Sequence, residues 1–233
     1  MNKRSQLICL WAAPLMGVMV TIGWWLLAKF VPPPLPSSGA AEIAELFRQN
    51  TNGIRVGMIL LVAGAGLFAP FIAVISAQIQ RIEGSPPVLA YTQLLGGAMS
   101  IAIILIPAML WTTAAFRPER NPELILLLND ASWLIIAMTF SPAVIQNVAI
   151  GLAILGDKNQ PPIFPRWVGY LNFWVAFLLL PAGLMTFFKT GPFAWNGLLA
   201  FWMPLVVFAI WFNVMFITLL KAIKRQPDVG VLR

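Results

Sequence analysis

Histidine is absent from this 233-residue chain, cysteine occurs once, and only 10% of the residues are charged. Each scarcity removes a class of function. Without histidine the commonest general base, metal ligand and haem ligand are gone. A single cysteine, Cys9, permits neither an intrachain disulfide nor a thiolate metal cluster. Lys3 and Arg4 lie too close before Cys9 to leave room for the apolar region of a lipoprotein signal, so Cys9 reads as an ordinary membrane-facing side chain. No metal site, cofactor or catalytic residue is expected. The scarcity of charge is the most telling, because soluble domains are about a quarter charged.

What fills the space is apolar. Hydrophobic residues make up 60% of the chain, and the mean hydropathy is +0.84. No soluble fold of this size could hide that much apolar surface, so the solvent is lipid. The expected fold is all-α: a polytopic membrane helix bundle forming one integral membrane domain over 1–233. The net charge of +7 does not imply nucleic acid. The basic residues are scattered over helix ends and form no stripe interleaved with aromatics.

Crossing the hydrocarbon takes about 20 apolar residues. Six segments qualify, at 7–30, 56–80, 89–116, 124–155, 168–188 and 194–220. The first follows Lys3 and Arg4 as a signal peptide would, but its length and the following Pro32-Pro33-Pro34 mark it as an uncleaved anchor. With the N-terminus inside, nine of the fifteen Lys and Arg are cytoplasmic: Lys3, Arg4, Arg81, Lys158, Arg166, Lys221, Lys224, Arg225 and Arg233. That excess favours both termini in the cytoplasm. Trp24, Trp25, Trp111, Trp133 and Trp195 are expected to form an aromatic belt at the outer interface, with Trp11 and Trp167 at the inner one. In the long first outer loop, Ser38 can cap a short amphipathic helix at 40–49. Ile43, Leu46 and Phe47 would lie against the outer surface, as a spacer or lid over the bundle or as a docking element.

Every span carries an interior proline: Pro14, Pro70, Pro107, Pro142, Pro181 and Pro204. Six proline-bent helices imply a bundle with room between its members. The fourth apolar stretch, about 50 Å if straight, must tilt, project or break at Pro142. Pro107-Ala108-Met109-Leu110 and Pro181-Ala182-Gly183-Leu184-Met185 are alike enough to raise a threefold repeat of helical hairpins beside chance similarity. Ala65, Ala69, Ala73 and Ala77 form a small-residue ladder on the second helix, expected to be a packing face.

Polar chemistry is confined to two places. Gln93, Gln146, Asn147, Asn172 and Asn213 form an inner layer of neutral amides, which either bond helix to helix or line a polar cavity. Arg55, Arg117, Arg120, Glu123 and Asp130 form an outer charged rim. There Asn121, Pro122 and Glu123 read as a helix start. Asp130 is expected to pair with one of the three arginines, as a structural ion pair or as a gate.

The segments FRPERNPELILLLND at 116–130, PRWVGYLN at 165–172 and FKTGPFAWNG at 188–197 resemble a family of small six-helix bacterial inner-membrane proteins without assigned function. The resemblance implies a bacterial inner membrane and a multi-helix fold, and nothing chemical. Three functions fit the chain. The first is a transporter or transport-associated subunit for a small neutral or lipidic molecule. The second is a non-catalytic accessory subunit of a larger membrane complex. The third is a lipid-modifying enzyme acting through carboxylates, which the lack of histidine, of metal-binding spacing and of any nucleophile motif disfavours, so the chain is expected not to be an enzyme. Expected partners are membrane lipids and either other membrane subunits or further copies of the chain.

Overall fold

Caps, glycines and prolines account for where the helices start and stop in the computed structural model, which describes residues 2–226; Arg233, counted above as cytoplasmic, lies outside them. The Asn2 side chain accepts from the Ser5 amide and opens α1 (Lys3–Val20), which continues as a π-helical turn, Thr21–Leu27. The amphipathic helix is α2 (Ala40–Gln49). It starts at Gly39 without a side-chain cap, so Ser38 does not cap it as the sequence suggested. The next helix, α3 (Thr51–Glu83), follows at once across Asn50, and α4 (Val88–Phe116) follows a short turn. The Asn121 side chain accepts from the Glu123 amide to start α5 (Pro122–Met138), with Pro122 in the first turn as expected. Then come α6 (Ser141–Leu155) and α7 (Arg166–Leu179), the latter running on as 3-10 helix over Leu180–Phe187. A second π-helical turn, Leu198–Trp202, leads into α8 (Met203–Lys224). Among the described residues there is no strand.

The result is an all-α bundle with six helices long and apolar enough to cross a membrane: Lys3–Leu27, Thr51–Glu83, Val88–Phe116, Pro122–Leu155, Arg166–Phe187 and Leu198–Lys224. Only three of the six prolines are interior to an α-helix: Pro14, Pro70 and Pro107. Pro181 and Pro204 lie inside continuous spans, where the winding changes from α to 3-10 and from π to α, whereas Pro142 follows a break and occupies the first turn of α6, where a missing N–H leaves no bond unmade. The long fourth span breaks just before Pro142, where Thr139 leaves helical geometry (ψ 66°).

Each span packs on its neighbour in sequence, and α8 closes the ring on α1. The most enclosed span is α3, half of whose most apolar window is buried. Its packing seam is not the alanine ladder: Ala65 is buried, but Ala69 and Ala73 are exposed. Glycine makes the close approach instead. A Cβ on Gly57 would overlap the Gly23 carbonyl oxygen, and one on Gly23 would lie 2.6 Å from the Gly57 oxygen. The backbones of the first two spans touch there, as close helix crossings in lipid require. At the end bearing the N-terminus, the Glu83 carboxylate reaches over the turn to accept from the Leu89 amide (2.9 and 3.0 Å) and the Ala90 amide (3.2 Å). It satisfies donors that the start of α4 leaves free.

Candidate binding site

The neutral amides sort into separate pairs. Gln146 Nε2 donates to Gln93 Oε1 (3.4 Å) and Gln93 Nε2 donates to the Ile72 carbonyl (3.0 Å), tying α6, α4 and α3 together. Asn172 Oδ1 accepts from Trp211 Nε1 (2.9 Å), tying α7 to α8, while Asn172 Nδ2 donates to the Val168 carbonyl of its own helix. Asn147 donates to the Ala143 carbonyl, and its Oδ1 is buried without a partner. Asn213 is exposed on the outside of α8 and donates only to Ala209. The five therefore do not all face one space. A further amide cluster sits at the N-terminal end, where Gln78 Nε2 donates to Gln6 Oε1, Gln6 exchanges bonds with Gln226 (3.2 and 3.3 Å), and Arg81 Nη1 donates to Gln78 Oε1 (2.6 Å). Sequence reading missed it because its members are 72 and 220 residues apart.

The charged residues at the opposite end do not form the expected ion pair. Arg55 donates to the carbonyls of Ala115 (3.1 Å) and Phe116 (3.2 Å), capping the negative end of α4. Arg117 lies over the Phe116 ring, 6.0 Å from its centroid. Arg120 closes the turn through its backbone amide onto the Arg117 carbonyl, and Glu123 is exposed at the start of α5. Among the described residues, Asp130 is in no salt bridge with Arg55, Arg117 or Arg120. Asn129 Nδ2 approaches Asp130 at 3.5 Å, and Lys189 is the cation whose charge reaches it. Arg55 is unavailable because the unpaired carbonyls of a helix end attract it first.

Below this rim lies the aromatic cluster. Trp111 of α4 and Trp133 of α5 are fully buried, with ring centroids 5.1 Å apart. Trp24, from the first π-helical turn, lies 5.6 Å from Trp133 and 6.2 Å from Trp111. Phe201, from the second π-helical turn, lies 5.8 Å from Trp24. Phe30 packs 5.0 Å from Trp111, and Phe47 of α2 lies over Phe30 at 5.9 Å. The apolar face of α2 thus turns inward: Ile43, Ala44 and Phe47 are at most 1% exposed, so the helix covers the cluster and does not lie on lipid. The expected outer belt is likewise mostly interior. Trp25 alone of its five members faces outward, and Trp195 is buried with its Nε1 on the Pro34 carbonyl (2.8 Å). Trp11 and Trp167 are exposed near the other end. The signal that Trp133 is no belt residue was its depth, about 16 Å of helix rise from Pro122.

All three indole N–H groups of the cluster, on Trp24, Trp111 and Trp133, are buried and have no hydrogen-bond partner. The Oδ1 of Asn129, one helical turn from Trp133, is also buried and unpaired. A buried unsatisfied polar group costs about 1–3 kcal/mol, so four in one place call for a reason. Edge-to-face ring contact offers an N–H only a weak π acceptor. The surroundings share two other departures from regular helix. Both π-helical turns feed the cluster, and such turns recur at functional sites. Lys29, just after the first of them, is held at φ 57°, costly for a residue with a Cβ. Asn50 fixes this corner by donating from Nδ2 to the carbonyls of Leu27 (2.8 Å) and Ala28 (3.1 Å). Lys29 and Asn50 line an open groove of about 600 Å³ between α2 and the end of the first span. Two of the groove's residues, Ala28 and Ile43, belong to the buried core around the tryptophans.

Fold and composition define a multi-pass helical membrane protein. No family model matches the chain, and no curated protein or solved structure is significantly similar to it.

Proposed function

We propose that the protein binds a small, uncharged, lipid-soluble molecule carrying carbonyl or hydroxyl oxygen at the tryptophan cluster. It would act as a transporter or transport-associated subunit for that molecule in a bacterial inner membrane, with both termini cytoplasmic and without catalysing a reaction. The observation carrying this reading is the set of three unpaired indole donors beside an unpaired amide acceptor. The surroundings are aromatic and aliphatic, which suits an apolar body, and a few polar atoms on an apolar surface are what orient a ligand. Entry would require α2 to move aside at the groove lined by Lys29 and Asn50.

Tryptophan fluorescence tests it. A long-chain ketone or alcohol should produce a saturable change in detergent-solubilised protein, and the alkane of equal length should not. The Trp111→Phe/Trp133→Phe double variant should lose that difference. An equal response to ketone and alkane would mean simple partitioning and would remove the reading.

A second reading, as a subunit of a larger membrane assembly, rests on Asn213. This exposed amide lies about 16 Å of helix rise from Lys224, inside the hydrocarbon. It shares its face of α8 with exposed Val206, Ile210 and Ile217. An amide facing lipid gains by bonding to another transmembrane helix. Gently extracted protein should then have a mass above that of one chain, and Asn213→Leu should reduce it to the monomer. A wild-type monomer would eliminate this alternative.

A further inference from the structure

At the end of the bundle opposite α2, two arginines from helices far apart in sequence share one pocket. Arg81, in the last turn of α3, and Arg225, just beyond α8, line a space of about 450 Å³ together with Ala222 and the 159–163 loop. The charges of Arg225 and Asp157 both act on the Arg81 guanidinium. Neither is used up by the fold. Arg81 has one side-chain bond, from Nη1 to Gln78. Arg225 donates from Nη2 to the Ile163 carbonyl (3.0 Å) and from Nε to the Lys221 carbonyl (3.4 Å). Among the described residues, Arg81 Nε and Nη2 and Arg225 Nη1 meet no acceptor.

Among the described residues, the local counter-charge is Asp157, whose oxygens already accept hydrogen bonds. Oδ1 accepts from the Asn159 amide (2.8 Å) and Asn159 Nδ2 (2.7 Å), and Oδ2 accepts from the Ile163 amide (2.7 Å). This carboxylate shapes the loop that forms the pocket wall. Among the described residues, two cations against one anion leave the pocket positive. Lys221 and Lys224, in the last turn of α8, add to the field around it. The position is at the ends of the spans, where phospholipid headgroups lie, and basic pockets between transmembrane helices at that level suit phosphate.

We propose that the Arg81–Arg225 pocket binds a phosphate oxyanion through charge-assisted bonds from both guanidinium groups. Two sources share this chemistry: the headgroup of an anionic phospholipid, and free inorganic phosphate. The site is separate from the tryptophan cluster, and the proposal does not depend on what that cluster binds.

Native mass spectrometry of the detergent-released full chain, with phosphatidylglycerol against phosphatidylcholine, tests the lipid source. Phosphorus-31 titration with inorganic phosphate tests the free anion. Arg225→Gln changes an exposed residue and should lower melting only slightly, through the lost bond to the Ile163 carbonyl, and Arg81→Gln removes the second arm. Each should weaken binding about tenfold, the worth of one charge-assisted bond. Lys224→Gln, which removes a charge outside the pocket, should change it little. Arginine-dependent preference for phosphatidylglycerol assigns the headgroup, and arginine-dependent binding of inorganic phosphate assigns the free anion. If neither probe binds in an arginine-dependent way, or if Lys224→Gln weakens binding as much as Arg225→Gln, the proposal is overturned.

Discussion

Gly57→Ala is expected to lower the stability of the bundle by about 3 kcal/mol or more, a large share of the ~5–15 kcal/mol that holds a typical domain together. The added methyl would overlap the Gly23 carbonyl oxygen and press within 3.2 Å of the Ala28 nitrogen and Cβ. These are mostly backbone atoms, so no side chain can rotate away. The first π-helical turn would have to move off α3, taking Trp24 out of the aromatic cluster and straining the Asn50 bonds to Leu27 and Ala28. Gly66→Ala on the same helix is the control. A Cβ at Gly66 meets open space, and alanine costs less backbone entropy in a helix, so that variant should melt at or slightly above the wild-type temperature. Thermal melts in detergent should separate the two clearly. Equal melting would show that the first two spans do not cross at Gly23 and Gly57.

The second large effect is a contrast between identical substitutions at two fully buried tryptophans. Trp211→Phe should destabilise by about 2–4 kcal/mol more than Trp133→Phe. Trp211 donates to Asn172 Oδ1, so its removal loses a bond and leaves a buried acceptor unpaired between α7 and α8. Trp133 donates to nothing, so phenylalanine there removes an unsatisfied N–H. The lost ring volume costs both variants alike, and at Trp133 the polar gain offsets it to near neutrality. The same variant should weaken ligand response, so stability and binding would move independently. If Trp133→Phe unfolds the protein as readily as Trp211→Phe, its indole N–H has an acceptor after all and the proposed site loses its basis.

Much of the architecture was legible in the chain. Span number and approximate limits follow from apolar length alone, because only a hydrogen-bonded helix of about 20 residues can cross lipid. The start of α5 was written in Asn121, Pro122 and Glu123, because capping is local chemistry. The features that failed to read correctly are those in which side-chain direction decides. Ala69 and Ala73 looked like a packing face by spacing, yet α3 is rotated so that Gly57 and Gly64 meet the first span. Asn213 resembles Asn172 in type, but Asn172 is buried between α7 and α8 while Asn213 faces outward. Pro142 looked like a kink in a continuous helix and in fact sits in the first turn of a new one, α6.

The sequence by itself determined the solvent, the helices and the exclusions: lipid around six apolar spans, and a chain without histidine, with one cysteine and with charge kept to helix ends. Hydropathy and composition are sums over residues and do not depend on how the helices turn. Only the tertiary structure decided which polar atoms meet a partner and which do not. It gathered Trp24, Trp111 and Trp133 beneath α2 with their N–H groups unpaired, and it brought Arg81 and Arg225 to one pocket. Satisfaction of a polar atom is a pairwise property across helices, set by rotation and crossing distance, and no single helix carries it in its own sequence.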